Sequence, residues 1–317
     1  MLNNTVLNEM IVSRDVRKGW LMMREMKNIF ARHPVLWVLL MLAIVFTIIV
    51  YLDNVLIRVT QYTVKNEKIP DEFSGYTIVQ LSDIHGQKFG ENNDALIRKV
   101  READPDIILV TGDVVNNAED DAIQVFEHIL DGIEDIAPVY AVTGNHDQWD
   151  DDFAELIEKW QKEYNITYLE NKTMPLERDG AVINLSGISD PGIWYGEECD
   201  ALVEEYRNGM QLKEGYQILM FHRADMLDDF IGTPYDLIFS GHLHGGQWRI
   251  PFAGGVISPD MKLFPDYSGG RYNTENQTFI VSRGIGNPQK FPKTSIPVPR
   301  IFNMAEIVEV TLEKAGH

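Results

Sequence analysis

The sequence predicts an α/β layered domain preceded by one membrane-crossing helix. Two observations carry this: short apolar runs that alternate with helical stretches and each end in a small, polar, glycine-bearing cluster, and one unbroken apolar run near the amino terminus. A length of 317 residues, 44% hydrophobic and 24% charged, suits one large or two small cores and excludes a disordered or fibrous chain.

Residues 1–34 hold six basic residues (Arg14, Arg17, Lys18, Arg24, Lys27 and Arg32) against three acids, so from a total of −20 the remainder carries −23. Such a body repels polyphosphate, and nucleic acid is not an expected partner. The single cysteine, Cys199, excludes a disulfide framework and any Cys-rich zinc module, and reads as structural filler. Residues 35–52 have Thr47 as their one clearly polar side chain. As a helix they extend about 27 Å, close to the hydrocarbon thickness of a bilayer. Trp37 and Tyr51 near the ends suit the headgroup region. The run is longer than a signal-peptide core and no small-x-small site follows it. Because the basic cluster precedes it, the expected topology is single-pass in the cell membrane, with residues 1–34 cytoplasmic and everything after Asp53 outside. Residues 53–70 read as a polar connector able to reach about 60 Å when extended, and residues 71–317 as the main domain.

Five runs then read as buried strands with polar ends: 76–86, 106–113, 138–147, 216–222 and 235–246. Helical patterns lie at 92–103, about 119–134, about 150–163 and 197–209, followed by strand-like runs at 279–284 and 307–312. The proline-bearing stretch 288–299, with Lys290, Lys293 and Arg300, reads as a surface loop. There is no internal repeat. In open α/β sheets the loops at the strands' carboxyl ends converge on one crevice. Those ends present Asp83 and His85; Asp113; Asn145, His146 and Asp147; His222; and His242 and His244, which is five of the chain's eight histidines. Imidazoles mixed with carboxylates and an amide oxygen suit Mn, Fe, Zn or Co rather than an all-oxygen calcium site. In D-x-H and H-x-H an extended backbone turns both side chains to one pocket, and glycines at 86, 112, 144, 241, 245 and 246 allow tight loops.

D-x-H, G-D, G-N-H-D, a lone His after a strand and G-H-x-H, in this order over about 75–285, resemble the calcineurin-like metallophosphoesterase superfamily. The apolar run before the domain, G-H-L-H-G-G-Q and the late S-R-G-I-G-N are similar to its membrane-anchored bacterial branch. The resemblance implies a layered αββα sandwich of the metallo-dependent phosphatase type. It implies two divalent transition-metal ions, with manganese favoured: one held by Asp83, His85, Asp113 and His244, the other by Asp113, Asn145, His222 and His242. It also implies attack of a metal-bound hydroxide on a phosphomonoester, phosphodiester or pyrophosphate. His146 then serves the leaving oxygen or a phosphoryl oxygen, and Asp147 orients it or caps the helix after it. Arg249, Tyr195, Trp194, Asp190 and Arg283 are further substrate-contact candidates. His33, His128 and His317 read as uninvolved, an interfacial, a helix-surface and a terminal residue. The anchor makes a phosphorylated lipid or envelope intermediate an expected substrate, as in the superfamily's UDP-diacylglucosamine hydrolases. The alternatives are an inactive metal-binding scaffold, which the full ligand set disfavours, and a nuclease, which the acidic body disfavours. Monoester against diester, metal identity and oligomeric state stay open.

Overall fold

Among the described residues the strands assemble into two six-stranded sheets and a two-stranded ribbon of β10 (Arg249–Ile250) and β11 (Gly254–Gly255). The computed structural model describes residues 33–116, 120–150, 152–193, 195–287 and 298–316, with Trp20 and Met22. The basic residues of the amino-terminal segment, Trp194, residues 288–297 and His317 lie outside these.

The chain divides into two units, residues 1–51 and 52–317. The described part of the first is dominated by helix α1 (Pro34–Val55), whose last turn belongs to the second. In α1 the most apolar 18-residue window is 0% buried, unlike the core helix of a globular domain. The helix is long and apolar enough to cross a membrane.

The second unit opens on strand β1 (Ile57–Asn66). This corrects the expected connector at 53–70. Alternation in I-R-V-T-Q-Y-T-V gives the segment one face to bury, with Ile57 and Val64 inside. One residue, Leu56, separates α1 from β1, so a 60 Å reach does not exist.

β2 (Thr77–Leu81), β3 (Ile107–Thr111), β4 (Val139–Val142) and β5 (Ile166–Tyr168) run parallel, and β14 (Ala305–Lys314) lies between β1 and β2. The other sheet runs β12 (Gly270–Asn273), β13 (Thr278–Val281), β9 (Leu237–Gly241), β8 (Gln217–Arg223), β7 (Ala181–Ile188) and β6 (Lys172–Arg178), with β7, β8, β9 and β13 parallel. Ile78, Leu109 and Val142 of the first sheet share one core with Leu185, Met220 and Phe239 of the second. Helices α2 (Asp94–Glu102), α3 (Asp120–Ile133) and α5 (Phe153–Glu163) cover the outer face of the first sheet through Leu96, Phe126 and Trp160. Helix α6 (Glu197–Gly209) covers the second through Cys199 and Val203. The layers are therefore αββα. Trp160 is fully buried against Phe126, Phe153 and Tyr168, a site where truncation to Ala costs about 3–5 kcal/mol. The carboxyl ends of β2, β3, β4, β8 and β9 are the ends that carry the histidines and acids.

Candidate metal centre

Asp83 and His85 follow β2, Asp113 follows β3, His222 lies in β8, and His242 and His244 follow β9. Asn145 opens the short helix α4 (Asn145–Gln148) after β4. All are buried. In Asp83, His85, Asp113 and His244 one ligand atom from each lies within 4.8 Å of the others, and the same holds for Asp113, His222 and His242. Asp113 belongs to both groups: its Oδ2 is 3.4 Å from His85 Nε2 and 3.2 Å from His222 Nε2. The two groups contain six of the residues singled out in the sequence, with Asp113 common to both.

The backbone achieves this differently from the expected extended pairs. Asp83, His85, Asp113, His242 and His244 all have φ between 46° and 71°, the left-handed region that costs a non-glycine residue roughly 1–2 kcal/mol. Loops so wound turn back sharply enough for neighbouring ligands to converge. Gly112 (φ +88°) shows how tightly they meet, since a Cβ there would lie 2.6 Å from Gly144 N and 2.8 Å from His222 Nδ1. Strain of this kind persists only where the surroundings hold it. Here Asp83 accepts the His242 N–H and the Ser82 hydroxyl, Asp113 accepts the His146 N–H at 2.9 Å, and Asn303 Nδ2 donates to the carbonyls of His244 (2.8 Å) and Gln247 (3.1 Å).

Electrostatically the cluster is arranged for cations. Burial pushes the His85 imidazole down to about 3 and those of His242 and His244 well below their usual value, so each of these rings is neutral and carries one lone pair. Burial raises Asp83 to about 6. Burial would also raise Asp113, but His222, His85 and His146 outweigh it and hold its carboxyl well below the usual range. Burial would lower His222, yet Asp113 raises it to about 10. His222 Nδ1 lies 2.7 Å from the Thr111 carbonyl and donates to it, and Nε2 faces Asp113 Oδ2 (3.2 Å) and His242 Nδ1 (3.3 Å). Both ring nitrogens of His85, Nδ1 of His244 and Oδ1 of Asn145 are buried without a hydrogen-bond partner. Orphaned acceptors converging on carboxylates fit a pair of metal ions.

The position of Asp147 corrects one expectation. Its carboxylate accepts the N–H groups of Asp113 (2.8 Å), Val114 (2.9 Å), Val115 (3.2 Å) and Gly144 (2.8 Å), so it neither orients the His146 ring nor caps α5, whose N-cap is Asp152. With four amides aimed at it, this carboxylate shapes the Asp113 loop. Burial and the charge of Asp113 meanwhile raise it to about 8. His146 stands 4.8 Å from both His85 and Trp149, ring to ring, with Nδ1 unpartnered.

The remaining candidates separate. Tyr195 Oη is 3.4 Å from His242 Nε2, at the edge of the centre. Asp190 is buried in an ion pair with Arg223 (2.6 Å), and Arg249 and Arg283 line a different cavity. Arg300 is fully buried and donates to the Arg283 and Gly286 carbonyls, so it is no surface-loop residue. The sequence reading missed Arg223, which sits beside His222 in β8, and Asn303, which has no motif at all.

The family model for calcineurin-like phosphoesterases matches residues 76–246. Among similar curated proteins, the metallophosphoesterase YkuE of Bacillus subtilis is 27% identical over 84% of this chain and 89% of its own. Phosphodiesterase YaeI of Escherichia coli is 28% identical over 68% of this chain and 77% of its own. The UDP-2,3-diacylglucosamine pyrophosphatase LpxG of Chlamydia trachomatis is 23% identical over 78% of this chain and 89% of its own.

Proposed function

We propose that this chain, which belongs to the calcineurin-like phosphoesterase family and is a hydrolase of phosphate esters, is anchored in the cell membrane by α1 and acts on a phosphorylated lipid or envelope intermediate. Residues 1–34 face the cytoplasm and the catalytic unit faces outward. The observation that carries the catalytic reading is Asp113 Oδ2, which lies between the imidazoles of His85 and His222 and offers the shared anion that two neighbouring dications require. Asp83, His85, Asp113 and His244 would hold one ion, and Asp113, Asn145, His222 and His242 the other.

When bound, the ions supply Lewis-acid activation of water and of the phosphoryl oxygens. The chain's own groups do the rest. Asp147 and the amides it gathers fix the loop that presents Asp113. His146, held by its backbone bond to Asp113, has a pKa lowered by burial. As a neutral ring it carries one N–H for a phosphoryl or leaving-group oxygen. Tyr195 borders the same opening. Three things support the lipid reading: α1, the start of β1 one residue after it, and the diacylated substrate in the name of the relative from Chlamydia trachomatis.

The test is hydrolysis of p-nitrophenyl phosphate and bis-p-nitrophenyl phosphate by the full chain in detergent with added manganese, alongside the Asp113→Asn variant. We expect turnover in the parent and none in the variant, with the variant's metal content reduced. Full activity of Asp113→Asn would overturn the bridging role.

A further inference from the structure

The cavity lined by Arg249 and Arg283 lies apart from the candidate ligands and measures about 980 Å³. Arg58, the second residue of β1, lines it as well, and Ile250, Phe252, Phe264 and Phe302 wall it. These walls are turned outward: Phe252 is fully exposed, and Phe264 and Ile250 are 59% and 48% exposed. Met261 and Leu263, 70% and 62% exposed, extend the same surface on the turn closed by the Ile257–Leu263 bridge. Among soluble surfaces a contiguous apolar patch of this kind marks an interaction site.

Two further features separate it from incidental exposure. Phe252, Met261, Phe264 and Phe302 all have φ between 52° and 70°, a conformation in which bulky residues are outliers. Within a strongly acidic chain the cavity also gathers three guanidinium groups. Of the acids around it, Asp53 accepts the Asn303 N–H and Asp266 pairs with Lys262, while Glu306 accepts from Thr60 and from the Arg283 N–H and pairs with Arg283 Nε at 3.7 Å. That one carboxylate stands against the three guanidinium groups, two of which, Arg249 and Arg283, approach one another beside Gly269.

Where the apolar run of α1 ends, Asn54 exchanges hydrogen bonds with the backbone of Arg300 (2.9 and 3.0 Å), and Asp53 bonds to Asn303. Phe302 lies between those two anchor points in the chain. The residues that leave the bilayer are therefore bonded to the segment that contributes to the apolar wall.

From this continuity we propose that the surface built by Ile250, Phe252, Met261, Leu263 and Phe264 inserts into the bilayer interface, with the Arg58, Arg249 and Arg283 cavity receiving the phosphate of an anionic phospholipid headgroup. The inference rests on α1 crossing the membrane, and it is independent of the reaction at the metal centre. Apolar tips buried at the headgroup boundary with cationic groups behind them are the arrangement by which peripheral segments bind anionic membranes.

The test uses the full chain in nanodiscs of phosphatidylcholine, with or without phosphatidylglycerol. Cys199→Ala provides the background for single cysteines Phe252→Cys, Val45→Cys and Glu158→Cys, each carrying an environment-sensitive fluorophore. Glu158 is exposed on α5, which packs on β5 at the sheet edge opposite β1. We expect the labels at 45 and 252 to be blue-shifted and quenched by spin-labelled lipid, and the label at 158 to be quenched by aqueous iodide. The shift at 252 should grow with phosphatidylglycerol and lose that increment in Arg58→Gln. A label at 252 as open to iodide as the one at 158, with position 45 still quenched by lipid, overturns the docking while leaving the anchor intact. Loss of lipid quenching at both positions overturns anchor and docking together. A shift at 252 indifferent to phosphatidylglycerol overturns the headgroup cavity.

Discussion

Replacing Asn303 by Ala should loosen the loop that carries His244. Asn303 is wholly buried, and its amide donates to the carbonyls of His244 (2.8 Å) and Gln247 (3.1 Å). His244, Gly245 and Gly246 between them keep φ values of 47°, 67° and 69°. In the variant the His244 carbonyl still accepts the Gln247 N–H, so the carbonyl left buried without a donor is that of Gln247, at a cost of about 1–3 kcal/mol. The loop can recover part of this by opening to water, so the loss should appear first as local opening rather than global unfolding. The assay is amide hydrogen exchange at Gly246 and Gln247, whose N–H groups close this turn on Leu243 and His244. A fall of 2 kcal/mol in opening free energy speeds exchange about 30-fold. Metal content should drop in the same variant. Exchange at Gln247 within about threefold of the parent, with full metal content, would refute the argument that one side chain holds this turn.

Other consequences can be measured with the same preparations. His146→Ala should lower turnover of p-nitrophenyl phosphate by about 10²–10⁴ with metal content intact; loss of metal would make it a ligand instead. Arg223→Met strands Asp190 in the interior and should cost about 3–5 kcal/mol in the urea-unfolding free energy. Adding Asp190→Asn should restore part of that loss, and no recovery would mean the pair is not the cause. Chelation should lower the melting temperature, since an ion present at about 100 times its dissociation constant contributes about 2.7 kcal/mol per site. An unchanged melting curve in excess chelator would argue against metal in the folded protein.

Much of this centre was legible because each ligand follows or ends a strand whose apolar run is unmistakable, and the runs at 106–113 and 235–246 hold β3 and β9. Three elements were not. β1 alternates polar and apolar residues over a half-exposed edge, and its partner β14 lies nearly the whole chain away, so nothing local marks it. The β6–β7 hairpin had a signal in Asp179–Gly180, both with positive φ. It was obscured by Pro175, which β6 tolerates as an edge strand. Asp147 was readable as an acid near the site, but its four amide partners come from two loops whose meeting only the fold creates. Asn303 is the extreme case, a residue whose role depends on carbonyls 56 and 59 positions away.

The place of β14 has a consequence for how the protein is made. It lies between β1 and β2, pairing Ile57 with Ala305 at one side and Gln80 with Val308 at the other. Translation delivers β1 and β2 well before β14. Until β14 emerges, a nascent copy exposes two unpaired strand edges, the feature that invites aggregation. A stop codon at position 305 would leave the candidate ligands in the chain but no means of joining β1 to the rest of its sheet. Such a product is a substrate for quality-control proteases rather than a slightly shortened enzyme.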